Sequence, residues 1–319
     1  MNEWSLRAKR PVLVHPIRVG DAGGPTKARA AGPFWRRVGP GLYVPAITDR
    51  TVPEQRIVEE AARLPTGCAV TGWAALRLLG AGYFDGLGPT GRDLPVPLVV
   101  PPPRSVRRTA GPAVHRDRLE PGDVRTVDGV ASTGAERAAF DAARRAPHLR
   151  AAVVVLDMAL ASGVMHRARL DSYLASVRGW AGVEQVRRAL LLADERSMSP
   201  KETELRLIWT LDARLPAPRC NWPVADADHR FIGRPDLLSV ELGVVGEFDG
   251  AGHRTRSQHR EDLRRDDRFR SVGLEPFRVV GADLADAALV LARIRSAISR
   301  AATSTTPRTW LLDAHPRPV

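Results

Sequence analysis

A chain of 319 residues that is 44% hydrophobic is long enough for two domains with cores of their own. Its 48 Lys and Arg against 36 Asp and Glu, a formal charge of +12, point to a polyanionic partner, most simply nucleic acid. Cys68 and Cys220 are the only cysteines, which excludes a disulfide scaffold and a zinc site built from cysteines alone. No apolar run approaches the length of a membrane span, and the N-terminus lacks a basic-then-apolar leader, so the expected location is the cytoplasm.

The charge is unevenly spread. Residues 197–300 carry 17 Lys and Arg against 16 Asp and Glu, whereas the rest carries 31 against 20. The first 50 residues alone hold nine basic residues against three acids, a balance suited to phosphate contact. Within them, Gly24–Gly32 reads as one short helix, with Pro25 in its first turn and Gly32 as its stop. Two apolar runs around Gly39-Pro40-Gly41 then read as a hairpin. A small helix followed by an Arg-bearing hairpin looks like the end of a winged helix. Lys27, Arg29, Arg36 and Arg37 are its candidate nucleic-acid contacts. The spacing Arg37-x-x-x-Gly41-Leu42-Tyr43-Val44 resembles the N-terminal part of AbiEi-type antitoxin regulators of type IV toxin–antitoxin systems, although three full helices are not found in residues 1–32.

Residues 53–64 and 71–80 have helical spacing, and Trp73 on the second reads as core. Residues 82–96 are a Gly/Pro-rich loop, and the runs at 97–100 and 113–116 are strands. Thr133 and Glu136 have capping-box spacing. The apolar helix over 149–162 contains Asp157, for which Arg137 is a candidate partner. Two more helical stretches, 167–177 and 183–192, lead out of this middle region. The segments expected are a winged-helix-like stretch over 1–50, an antitoxin-like, mostly helical mixed α/β domain over 51–195, a third domain over 196–300, and a loose Thr/Pro-rich tail over 301–319.

The third domain opens on Ser199-Pro200-Lys201-Glu202, with Ser199 as N-cap, Pro200 at the first position and Glu202 closing a capping box. Three strands follow over 222–224, 230–238 and 242–249, then a charged helix, a strand over 276–280 and a last helix from 282 to about 299. A hairpin brings Asp236 beside Glu247 at the strand ends. Paired carboxylates there suit a hard divalent cation, Mg²⁺ or Mn²⁺, which can activate a water and stabilise a leaving oxygen. Burying such acids on an apolar strand without a cation or arginine would be costly.

The order Asp236, Glu247-x-Asp249-Gly250, His253, Arg265-Asp266, Gly273, Phe277-Arg278-Val279 resembles the DUF559 family. That family belongs to the restriction-endonuclease-like PD-(D/E)xK superfamily, near the very-short-patch repair endonucleases, and the resemblance covers residues 197–300. It implies an α/β (α+β) fold with an α-β-β-β-α-β core and an endonuclease that hydrolyses DNA phosphodiester bonds in defence or repair. The implied metal ligands are Asp236, Glu247 and the Phe248 carbonyl, and the implied general base or phosphate ligand is His253. Asp249 stands where the superfamily has lysine, as is usual in DUF559. Asp266 orients His253 or a strand-end backbone, or is a plain salt bridge. An acid on the first helix also points into the site, and Glu204 is the candidate because Glu202 has a capping role. Arg254 and Arg256 are candidate DNA contacts. The alternative is a DNA-binding transcriptional regulator or antitoxin whose nuclease fold does not cleave; a toxin or a second copy of the chain is left open as partner.

Overall fold

The computed structural model describes residues 6–8, 10–88, 90–106, 111–250, 256–313 and 315, without the side chains of residues 256–263. The fold is mixed α/β, with several sheets and, among the described residues, ten α-helices. It divides into two compact units, residues 4–191 and 192–319.

The first unit begins with β1 (Ile17–Arg18), α1 (Lys27–Ala30), β2 (Trp35–Gly39) and β3 (Leu42–Pro45). These strands form an antiparallel sheet of order β1-β3-β2, the hairpin turning at Gly41 with φ 71°. α1 is a single turn capped by the Thr26 hydroxyl, which accepts from the Arg29 N–H. A turn of that length cannot lie along a DNA groove as a recognition helix does; the segment expected to resemble a winged helix has, among its described residues, this one turn and the three-stranded sheet.

Then follow α2 (Pro53–Ala61), β4 (Ala69–Val70), α3 (Gly72–Leu78), β5 (Val96–Val99), β6 (Pro112–His115), β7 (Val124–Val127) and β8 (Val130–Thr133). Helices α4 (Ala135–Arg144), α5 (Leu149–Ala161), α6 (Arg167–Ser176) and α7 (Val183–Leu192) complete the series. β4 to β8 form a five-stranded mixed sheet of order β6-β5-β4-β8-β7. This region is mostly helical with one mixed sheet, as its sequence suggests; the strands at 69–70, 124–127 and 130–133 were not legible because runs of two to four residues give little alternation to read.

A charged network lies at the ends of β4 and β8. Asp141 on α4 is fully buried and faces Arg137 at 2.9 Å, Arg144 at 2.9 Å and Arg145 at 3.1 Å. It also accepts from the Thr71 hydroxyl at 2.7 Å, and the Thr133 hydroxyl donates to Thr71 at 3.1 Å. Both threonine hydroxyls thus serve Asp141: Thr71 stands at the N-cap of α3 without a side-chain capping bond, and Gly134 holds the N-cap position of α4. Burial pushes the Asp141 carboxyl up, but Arg137, Arg145 and Arg144 outweigh it and hold it below the usual carboxylate range. Arg137 is also taken by Asp123 at 2.9 Å, and it stacks on Trp180 beside Arg118 and Arg144.

The second unit begins with α8 (Pro200–Leu207). Ser199 accepts from the Glu202 N–H, and Glu202 reaches back to the Met198 N–H at 2.9 Å, so the expected cap forms one residue wider than the usual box. α8 passes into a π-helical turn, Ile208–Asp212. The strands are β9 (Arg219–Cys220), β10 (Val224–Ala225), β11 (Phe231–Gly233), β12 (Leu237–Ser239) and β13 (Val244–Asp249). Then come α9 (Arg256–Ser271), β14 (Glu275–Val280), α10 (Ala287–Thr303) and β15 (Leu311–Leu312).

The main sheet has the order β14-β13-β12-β9. β9, β12 and β13 pair antiparallel, while β13 and β14 are parallel and joined through α9, as a parallel connection requires a crossover. The expected strand over 230–238 is broken at Arg234-Pro235-Asp236, because proline lacks a ladder donor and restricts the residue before it. Its halves go to different sheets.

Alternation along β13 then decides the site. Val244 and Phe248 join the core of Leu205, Trp209, Phe277, Val290 and Ile294, against α8 and α10. Val245 faces the opposite core with Leu238, Phe269 and Leu274, so Glu247 and Asp249 share the α9 side. Gly246 is required where it stands, since a Cβ there would lie 2.5 Å from the Phe277 ring.

Residues 308–313 of the tail are held in place. β15 pairs with β10, Trp310 packs on the α9-side core, and the Thr309 N–H donates to Val272. The Arg308 guanidinium donates to the carbonyls of Glu241 and Leu242 at 2.8 and 2.9 Å. A Thr/Pro-rich composition hid these partners because each lies far away in sequence.

Candidate active site

Asp236 follows the proline that breaks the strand, just before β12. Its Oδ2 accepts from the Phe248 N–H at 2.6 Å, so β12 and β13 hold it from both sides. Burial above all, then the Glu202 carboxylate, pushes the Asp236 carboxyl up to about 8; the Phe248 amide and Arg265 pull it down and Glu247 raises it. Glu202 therefore weighs more on Asp236 than Glu247 does. Glu202 Oε2 also accepts from Asn221 Nδ2 at 2.7 Å. The Asn221 main-chain N–H donates to the Asp236 carbonyl at 3.2 Å, which extends the β9–β12 ladder by one residue.

Glu247 is buried, with Oε1 2.8 Å from Arg265 Nη2 on α9 and Oε2 3.1 Å from Arg278 Nη2 on β14. Glu247 and Arg278 are register partners across the parallel pair, which places their side chains on one face. Asp266 in turn holds Arg278 at 2.7 Å. The chain of contacts is Arg265–Glu247–Arg278–Asp266, with Asp236 and Glu202 beside it.

Several sequence expectations are corrected here. Glu204 is half exposed and pairs with Lys201 at 2.7 Å, while Glu202, set aside as a mere cap, is the helix acid that acts on Asp236. The cap and the site are one arrangement: bonding back to the Met198 N–H holds the Glu202 carboxylate at the helix start. Asp266 meets Arg278; His253, the partner it was expected to orient, lies outside the described residues, as do Ala251, Gly252, Arg254 and Thr255. Phe248 donates its N–H to Asp236 at 2.6 Å. Asp249 ends β13 on the Glu247 face and is half buried. The Arg256 side chain lies outside the described residues.

Arg265, Arg278 and Asn221 were missed as site residues. The signal for Arg278 was its place in Phe277-Arg278-Val279, a charge inside an apolar strand. Among the described residues no group of three His, Cys, Asp or Glu is placed to hold a metal ion.

In the other unit, Lys27, Arg29 and Arg37 are exposed, and Arg37 Nε donates to the Gly39 carbonyl at 3.1 Å. Arg36 turns inward by strand alternation and forms a bidentate pair with the buried Glu59 at 2.9 and 2.7 Å. Its expected phosphate contact is corrected to a structural role.

No family model matches the chain. Two curated relatives, each described as an uncharacterized protein of Mycobacterium tuberculosis (strains CDC 1551 / Oshkosh and H37Rv), are similar to part of it. Each is 31% identical over 150 residues, covering 45% of this chain and 51% of the relative. The chain thus spans about half the length of those relatives. No solved structure matches it. No helix among the described residues is long and apolar enough to cross a membrane.

Proposed function

We propose that the 192–319 unit is a restriction-endonuclease-like, metal-dependent nuclease that hydrolyses DNA phosphodiester bonds, and that the 4–191 unit contributes to holding DNA. The observation that carries this reading is Asp236, held by the Phe248 N–H and linked to Glu202 through Asn221 at the end of a sheet, its carboxyl raised to about 8 by burial, Glu202 and Glu247. Perturbed carboxylates of this kind mark functional sites more often than plain ion pairs do.

The donor set fits Mg²⁺ or Mn²⁺. Mg²⁺ takes hard oxygen ligands, often only one or two carboxylates, and keeps several waters. It does not fit a closed site that needs three or four protein ligands. Asp236 would hold the ion, with Glu202 beside it. When bound, the ion would supply an activated water and positive charge at the leaving oxygen. Arg278, fixed by Asp266 and Glu247, presents a permanent positive charge where a phosphate oxygen can be met; a guanidinium cannot act as a base at neutral pH. Asp249 stands two residues after Glu247, where the wider superfamily has its lysine.

The second reading is a non-cleaving DNA-binding regulator or antitoxin. One observation favours it: both Glu247 oxygens already face guanidinium groups, so this acid is neutralised without a metal. Cleavage of plasmid and short duplexes with Mg²⁺ or Mn²⁺ separates the two. The nuclease reading expects wild-type cleavage that Asp236→Ala and Glu247→Ala abolish and Glu204→Ala leaves intact. No cleavage by any of them, with salt-sensitive duplex binding retained, supports the regulator.

A further inference from the structure

Asn221 is held in a conformation that few residues tolerate. Its φ is +49°, in the left-handed region where asparagine is among the few enriched side chains. The turn this makes sits between β9 and Trp222, directly opposite Asp236. It aims the side-chain amide at α8, where Nδ2 donates to Glu202 Oε2 at 2.7 Å and to the Arg196 carbonyl at 2.8 Å. Two acceptors around one atom define which end of the amide is nitrogen. The Arg196 loop is itself braced, its guanidinium stacking 4.1 Å from the Trp222 ring.

One residue therefore touches both acids by different routes: the Asp236 backbone through its main-chain N–H, and the Glu202 carboxylate through its side chain. Without it, a first-turn glutamate has several rotamers that lead to water. With it and the Met198 N–H, Glu202 Oε2 is fixed by two donors. We propose that Asn221 is a positioning residue of the acidic site, fixing the Glu202 carboxylate against Asp236 so that the pair receives a divalent cation with little rearrangement. This rests on the nuclease reading of that site. Partners of this outer kind set metal affinity by roughly 10–100-fold.

The test is binding of Mn²⁺ alone to the full-length chain, by electron paramagnetic resonance and calorimetry, alongside duplex cleavage. Asn221→Gly is the informative variant, because glycine keeps the left-handed backbone and removes only the amide side chain. The expected result is Mn²⁺ affinity weakened about tenfold or more, with the cleavage rate restored at high Mn²⁺ and KM for duplex unchanged. Glu202→Gln is expected to weaken Mn²⁺ to a similar degree. The double variant is expected to be no worse than Glu202→Gln, since Asn221 acts through Glu202. Wild type that binds Mn²⁺ while Asn221→Gly binds it equally well overturns the proposal and leaves the nuclease reading standing. Should Asn221→Gly not fold, Glu202→Gln decides, and unchanged Mn²⁺ affinity there overturns the proposal too. Wild type that binds no Mn²⁺ overturns the nuclease reading and this proposal with it.

Discussion

Replacing Asp236 with asparagine should stabilise the protein above neutrality. The Asp236 carboxyl is raised from the ordinary 3.8 to about 8 by burial and by Glu202 and Glu247. A raised folded-state pKa means that the folded state holds the proton more tightly. Its contribution is complete below the unfolded value and declines as pH rises, until it is lost above about 8. A tenfold difference in proton affinity is worth ~1.4 kcal/mol, so the span from pH 5 to pH 8 sets a ceiling of about 4 kcal/mol. Sharing of the proton with the neighbouring acids and entry of water bring the expectation to roughly 2 kcal/mol. Asparagine imitates the protonated acid and still accepts from the Phe248 N–H, so its stability should lack this decline.

The assay is urea unfolding in chelator at pH 5 and pH 8, followed by hydrogen exchange of peptides from β12 and β13, which isolates this unit. The wild type should fall relative to Asp236→Asn by roughly 2 kcal/mol between the two conditions. Added Mg²⁺ should recover much of that loss, since an ion bound only by the folded state stabilises it. Parallel profiles for the two proteins, within about 0.5 kcal/mol, would refute the reasoning by showing that Asp236 carries no strained charge.

Asp141→Asn should cost about 3–5 kcal/mol, read by thermal denaturation, because it removes the buried charge shared by Arg137, Arg144 and Arg145. The Asp141 carboxyl is depressed, so its stabilisation is present above the usual carboxylate value near 3.8 and is lost as pH falls through the lower folded value; acid titration of the melting curve checks the sign. Arg308→Ala should destabilise residues 192–319 by about 0.5–1.5 kcal/mol through the two exposed hydrogen bonds it removes, seen as faster exchange at residues 240–243. Arg37→Ala should weaken duplex binding and reduce its salt slope by about one. Arg36→Ala should leave that slope unchanged and lower stability through Glu59.

Much of the second unit could be read from local pattern. Ser199-Pro200-Lys201-Glu202 announced α8, the apolar run ending in Glu247 announced β13, and both carry acids of the candidate site. What could not be read was competition between roles. Glu202 seemed spent on a cap, yet a carboxylate has two oxygens, and its neighbour Asn221 shows no periodicity that would mark it. Thr133 looked like a cap because nothing local showed that its hydroxyl would be claimed by Thr71 and, through it, by Asp141. The strand expected across residues 230–238 ignored Pro235, whose missing donor sends the two halves to separate sheets and leaves Asp236 at the break.

The charge network around Asp141 also shapes how this protein can change. Its members are exchangeable only together. Losing one strands another in a place without water, whereas replacing the whole group by apolar residues of equal volume is often harmless. Substitution one position at a time must therefore cross a valley, and drift will either keep the group intact or lose it in a few linked steps. For the same reason an alanine scan read only as loss of activity would mark Arg137, Asp141 and Arg144 as strongly as any residue of the acidic site. Scoring expression level beside activity would separate residues that hold the fold from those that do chemistry.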